Sequence, residues 1–300
     1  MEKYEAIGLK LPEVEPGDDL AELIVEAAER AGVELEEGDV LVVTSKIVSK
    51  ARGYLLKIDE IRPGLAARLL SKLLKKPDWE IELISEISKR VLFAVPLYEL
   101  AEKYKYFEKV SRDPERARRV VRGDPVFLVV EMPSGRMASD AGIDTSNVPP
   151  GYVCFPPLDP DLEAKRLRDR IREISGVDVG VVVADTEGMV SRAGSIDIAV
   201  GCSGIQPVSK KLGEVDRYGK PKFGGVDLVA DELAAAAALL MGQTSESVPV
   251  VLFKGLEIPR GETPIREVLV SRRIVVEALL KGLVYTLLTR ILLSFRKLLG

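Results

Sequence analysis

The sequence predicts an α+β fold built on a mixed sheet, and three observations predict it. Val40–Thr44, Val179–Ala184 and Val248–Phe253 are short, continuous apolar runs of the kind that fill buried strands. Helical stretches separate them at irregular intervals, without the strand–helix–strand rhythm of a doubly wound sheet. The lysine-bearing segment Thr44–Gly53 lacks the Gly-x4-Gly-Lys-Ser/Thr spacing of a P-loop, so neither a classical Rossmann nor a P-loop fold is expected.

Taken in order, Asp18-Asp19 opens an amphipathic helix with Leu20, Leu23, Ile24, Ala27 and Ala28 on one face and Gly32 as its stop. Gly38-Asp39 leads into the first buried strand. Residues 63–90 read as two short helices broken at Pro77-Asp78, and Val91–Val95 as a strand. Residues 97–124 are charged and helix-prone, an expected insertion or lid. Pro133-Ser134-Gly135 marks a hairpin between Val126–Glu131 and Arg136–Ala138. Asp159 or Asp161 caps a helix reaching Ser175, with Leu162, Leu167, Ile171 and Ile174 as its apolar members. Val179–Ala184 reads as a central strand, Ile196–Val200 alternates, and Val226–Met241 is an alanine-dense helix suited to close packing. The tail Arg272–Leu299 is apolar and basic, interrupted by Glu277, Lys281, Arg290, Arg296 and Lys297. Its longest uncharged stretch, Gly282–Thr289, falls far short of the ~20 residues of a membrane span. A helix buried in the domain or in a dimer is expected there. The domain reading is one catalytic domain over 1–260 and a helical extension over 261–300.

Composition narrows the chemistry. With no histidine in 300 residues, Ser-His-Asp and Cys-His catalysis, HExxH zinc sites and a histidine general base are all excluded. Carboxylates, lysines, arginines, hydroxyls and backbone amides remain. A metal held by these takes oxygen ligands, which points to Mg2+ or Mn2+. Two cysteines, Cys154 and Cys202, make no disulfide framework, so a reducing, cytoplasmic location is expected. A net charge of −4 argues against a general nucleic-acid binder. Abundant Glu, Lys, Arg and Leu with 18 prolines fits a thermophilic source.

Four segments bear candidate chemistry. Asp140–Asn147 (DAGIDTSN) packs Asp140, Asp144, Thr145, Ser146 and Asn147 around Gly142, an oxygen density that suits a hard cation or phosphate, and equally an Asx-rich turn. Ala184–Gly188 sets Asp185 and Thr186 at the expected end of the strongest strand, with Glu187 expected to be solvated. Thr44–Gly53 places Ser45, Lys46, Lys50 and Arg52 after a strand, where lysines can serve as point-charge phosphate ligands. Leu239–Gln243 ends a helix at Met241-Gly242 and offers the Gln243 carbonyl, while Asp231 and Glu232 read as helix-dipole charges.

In this order these segments resemble the coenzyme F420-0:γ-glutamyl ligase family. The resemblance is carried by Leu11-Pro12, Pro16–Leu20, Gly38–Gly53, Asp140–Val148, Pro156–Asp161, Ala184–Gly188, Val200–Ile205, Asp216–Gly219, Val229–Gln243 and Val248–Gly255. It implies a homodimer in which GTP and divalent metal, two Mg2+ or Mn2+ ions with K+ as a further ion, support ligation of L-glutamate to F420-0 through an acyl phosphate. Asp144, Asp185, Thr186 and Gln243 would hold metal. Leu11, Pro12, Glu13, Val14, Ser45, Lys46, Lys50, Asn147, Met241, Gly242, Gln243, Thr244, Ser245, Glu246, Ser247 and Val248 would line the nucleotide. Asp185, Lys50 and Arg192 are the implied catalytic residues.

Two departures bear on the acceptor. Arg52-Gly53-Tyr54 stands where the family commonly has Glu-Gly-Arg, and Met189 stands where it commonly has arginine. They leave open a paralogous carboxylate–amine ligase with another acceptor. A non-catalytic nucleotide or cofactor binder is the remaining alternative.

Overall fold

The computed structural model describes residues 3–189 and 192–299, without the side chains of 294–299; Arg296 and Lys297 of the tail therefore lie outside the described side chains. The chain divides into a compact unit ending at Glu267 and a second unit from Val268.

The first unit is organised around a five-stranded mixed sheet in the order β1(Glu5–Leu9), β10(Val250–Lys254), β2(Val40–Thr44), β8(Gly180–Gly188), β9(Ser195–Ser203). Only β2 and β8 run parallel; every other pairing is antiparallel. Both faces of this sheet are covered, which is why its strands read as continuous apolar runs. Helices α1(Leu20–Arg30) and α8(Pro160–Ser175) bury Leu41, Val43, Val181, Val183 and Leu252. The alternate residues Val40, Val42, Val182, Val251 and Phe253 are equally buried, and α9(Val229–Met241) packs across the sheet. Its alanines permit that approach, and Ala230, Ala234 and Ala237 are fully buried. At Gly201 on β9 a Cβ would fall 2.3 Å from the Pro160 backbone, so the start of α8 needs glycine beneath it.

Two satellite sheets complete the unit. β3(Leu55–Lys57) pairs with β7(Tyr152–Cys154), and β4(Arg90–Val95), β5(Phe127–Glu131) and β6(Met137–Ser139) form an antiparallel meander. Between β3 and β4 lie α3(Leu65–Leu74) and α4(Asp78–Ile87), broken at Pro77 as the sequence predicts. Residues 97–124 fold into α5(Leu97–Lys103), α6(Tyr106–Val110) and α7(Pro114–Gly123), the last capped by Asp113.

After β2 the chain turns directly into the helix α2(Ser45–Ala51). Two expectations change. β8 does not end at Ala184 but continues to Gly188, because β9 goes on pairing with it after β2 has stopped opposite Ala184. On α8, Leu162 and Ile174 are exposed, while Ala164, Leu167 and Ile171 make the buried face. After the short α10(Ile265–Val268), the tail forms the expected helix, α11(Arg272–Leu299), along which Leu283 and Leu292 are 69% and 68% exposed. No helix of the described residues is long and apolar enough to cross a membrane.

Candidate active site

The parallel pair β2–β8 sets the site. At the C-terminal end of β2 the chain turns at once into α2, which brings Ser45, Lys46, Ser49 and Lys50 to the strand end. Lys50 is almost wholly buried yet retains its charge partner, Glu13, on the segment after β1. Lys46 Nζ bonds the Asp144 carboxylate, the Ser146 carbonyl at 2.8 Å and the Ser146 hydroxyl at 2.9 Å, so it ties the Asp144 loop to α2. Asp144 is further fixed by paired backbone bonds with Cys154, both 2.9 Å.

Beyond Ala184, β8 has β9 on one side only, and Asp185 and Thr186 extend past the end of β2. The register sets Thr186 opposite Asp197. The Thr186 hydroxyl donates to Asp197 Oδ1 at 2.7 Å, and Gln243 Nε2 donates to the same oxygen at 3.2 Å. A carboxylate only accepts, so Asp197 fixes which end of the Gln243 amide faces it and leaves Oε1 as an acceptor 3.4 Å from the Thr186 hydroxyl. Gln243 reaches this position because α9 stops at Gly242, whose φ of 66° and ψ of −172° belong to glycine alone. Two non-glycine residues in the surrounding loops also have left-handed backbones, Asn147 at φ 52° and Ser247 at φ 56°. The Asn147 amide donates to the Thr244 carbonyl at 2.9 Å and joins those loops.

These segments enclose a cavity of about 830 Å³. Leu11, Pro12, Glu13, Val14, Ser45, Lys46, Lys50, Asn147 and every residue from Met241 to Val248 line it, together with Asp144, Asp185 and Thr186. Arg192 does not line it; it is exposed in the turn between β8 and β9, next to residues 190 and 191, which lie outside the described residues. Asp144, Asp185, Asp197, Thr186 and Gln243 present oxygen donors, the set a hard divalent cation takes, with lysines nearby for phosphate. Cys154 also lines the cavity, but burial pushes its thiol up to about 11, and that of Cys202 to about 12, so neither serves as a thiolate ligand or nucleophile.

Four residues differ from the sequence reading or carry contacts it does not assign. Glu187 is not solvated: Arg136 Nη1 bonds it at 3.0 Å, the Ser139 hydroxyl donates to it at 3.5 Å, and burial pushes its carboxyl up to about 7. The same buried guanidinium reaches Asp185 Oδ2 at 3.4 Å; burial raises the Asp185 carboxyl against that pull. Arg136 carried no sequence signal beyond its place after a hairpin turn. Asp197 carried one: a carboxylate among apolar neighbours in an alternating strand, where only a polar partner makes burial tolerable. Asp231 is more than a helix-dipole charge, since its Oδ1 accepts from the Ala199 amide at 3.1 Å and fastens α9 to β9.

Asp140, grouped with Asp144 in sequence, points elsewhere. With Glu80 and Asp124 it forms a carboxylate triad whose oxygens lie within 4.8 Å of one another. The Lys76 ammonium, fully buried, sits among them at 2.7 Å from Glu80, 2.7 Å from Asp124 and 3.2 Å from Asp140. Asp140 Oδ1 also accepts from the Leu128 amide at 2.8 Å and anchors the base of the loop that carries Asp144.

Residues 8–255 match the model of the family described as F420-0:Gamma-glutamyl ligase. A coenzyme F420:L-glutamate ligase of Methanopyrus kandleri is 40% identical over 253 residues, 84% of this chain and 87% of that one. Those of Archaeoglobus fulgidus and Methanothermobacter thermautotrophicus are 36% and 34% identical, over 86% and 82% of this chain and 89% and 86% of theirs. The match runs through every segment that builds the cavity, and the chain belongs to the F420-0:gamma-glutamyl ligase family.

Proposed function

We propose that this chain is a GTP- and divalent-metal-dependent ligase that adds L-glutamate to coenzyme F420-0 through a γ-linked amide. One observation carries the reading: six separated segments bring basic, hydroxyl and carboxylate groups to a single cavity large enough for a nucleotide. Leu11–Val14 and Met241–Val248 form its walls, and Lys46 and Lys50 stand where they neutralise phosphate charge. The F420-0 carboxylate attacks the γ-phosphorus of GTP, GDP leaves, and the glutamate amine then displaces phosphate from the acyl phosphate. Lys50, buried and ion-paired, is held rigidly for this task; Lys46, half-exposed, can exchange Asp144 for a phosphate oxygen.

Asp144, Asp185, Thr186 and Gln243 are the proposed metal ligands. A divalent cation held there would draw charge from the phosphate oxygens during transfer. Asp197 and Arg136 keep those ligands aimed: Asp197 through Thr186 and Gln243, Arg136 through Asp185. Arg192 is proposed to act from the β8–β9 turn, and Arg192→Ala should lower turnover without weakening GTP binding. A homodimer is the proposed assembly.

The purified full chain, given GTP, Mn2+ or Mg2+, L-glutamate and F420-0, should yield GDP and a glutamylated product by mass spectrometry. GDP formed only with another carboxylate acceptor would replace this reading with the paralogue that Met189 leaves open. GTP bound without turnover would make the chain a non-catalytic binder.

A further inference from the structure

Helix α11 begins at Arg272, beyond residues 8–255 that the family covers, so the ligase reaction does not account for it. Its 28 residues extend about 42 Å. Ile274, Leu279, Leu283 and Leu288 are all exposed, and at 100° per residue they lie on different sides of the helix. A helix that is apolar all round needs apolar surroundings on more than one stripe, which a groove on a protein does not supply.

The charges are ordered. Arg272 and Arg273 stand at one end; Arg290 and, in sequence, Arg296 and Lys297 stand towards the other. Between them, over Ile274–Thr289, the charges are Glu277 and Lys281, one turn apart and paired at 2.6 Å. Six basic residues against the single acid Glu277 give residues 272–300 a net charge of +5 within a chain of −4, which leaves −9 on the first 271 residues. Two such helices side by side would repel. An anionic bilayer supplies both an apolar layer and complementary charge, and the long basic side chains can reach headgroups while their stems and the leucines sit below.

We propose that α11 seats this chain on an anionic lipid surface, its apolar side chains in the acyl layer and its basic residues reaching the headgroups. It does not span: no helix of the described residues is long and apolar enough to cross a membrane. The inference stands apart from the reaction assigned to the cavity.

The test is co-sedimentation of the full chain with vesicles of phosphatidylcholine alone or mixed with phosphatidylglycerol, at low and high salt. The chain should pellet with the mixed vesicles and partition at least roughly tenfold less onto neutral ones or in high salt. The variant Arg272→Gln/Arg273→Gln/Arg290→Gln should weaken that partition by roughly a hundredfold, at about a factor of five per residue, with ligase activity in solution unchanged. Leu283→Ser/Leu287→Ser should weaken it as well. Failure to bind the mixed vesicles overturns the proposal, as does equal binding to both compositions. A dimer by light scattering that requires these leucines, with no vesicle binding, makes a second copy of the chain the occupant.

Discussion

The fold holds two groups of carboxylates with opposite fates. Glu80, Asp124 and Asp140 meet around Lys76; Asp144, Asp185 and Asp197 meet at a cavity. By the count of acids and their spacing alone, the first group is the better metal site. Its oxygens, however, already share a buried ammonium that contacts all three side chains. In the second, the nearby cations sit at the margin: Lys46 pairs with Asp144 where both are partly exposed, and Arg136 approaches Asp185 at a long 3.4 Å. What distinguishes a candidate metal site from an internal ion cluster is whether the protein has supplied the cation itself.

Substitutions should separate the two groups. The largest effect is expected at the cavity: Asp185→Asn should cut GDP formation by roughly a thousandfold or more, since it removes a proposed metal ligand from the step that moves the phosphoryl group. Arg136 keeps Glu187 as a partner in that variant, so its melting temperature should stay near wild type. Near-normal turnover would take Asp185 out of the metal site. At the other cluster the loss should fall on stability. Lys76→Met leaves the buried carboxylates of Glu80 and Asp140, and the partly buried one of Asp124, without their cation and should cost about 3–5 kcal/mol in chemical denaturation. If the ammonium is what denies this cluster to metal, added Mn2+ should restore part of that loss in the variant and do little for the wild type.

Most of the fold could be read from the chain because strands buried on both faces and capped helices leave strong local patterns. Val40–Thr44, the Pro77 break and the Asp159 cap all stand where pattern and cap chemistry require. The separate fates of Asp140 and Asp144 could not be read, since a left-handed backbone at Asp140 and Ala141 turns the loop between them. Lys76, 64 residues earlier, has no pattern linking it to Asp140. The Arg136 and Asp197 contacts likewise depend on register and hairpin placement rather than on spacing. Asp197 gives the next prediction. Asp197→Ala removes the acceptor shared by Thr186 and Gln243, and should weaken Mn2+ binding, followed by electron paramagnetic resonance, by about 10–100-fold. Asp197→Asn keeps one acceptor oxygen and should recover part of that. Unchanged Mn2+ affinity in both would reduce Asp197 to a packing residue, while loss in Asp185→Asn but not here would leave the metal site standing without it.

The smallest expected effect is a pH dependence of stability to which the Lys76 cluster contributes. Burial, with Asp124 and Asp140 adding to it against the pull of Lys76, pushes the Glu80 carboxyl up to about 7 in the folded chain from an ordinary value of 4.5. Between those values the folded chain holds a proton on Glu80 that the unfolded chain has released. Its contribution to stability is therefore complete below about pH 4.5, falls as pH rises, and is gone above about pH 7. Melting temperature measured from pH 5 to 8 should show this decline in the wild type, and Glu80→Gln, which stays neutral throughout, should make it shallower. A decline undiminished in Glu80→Gln would assign the titration to Glu187, whose carboxyl burial also pushes up to about 7 and which lies beside Asp185. In that case saturating Mn2+ should alter the slope, because the titrating group would then border the proposed metal site, whereas a slope set by Glu80 should be indifferent to the ion.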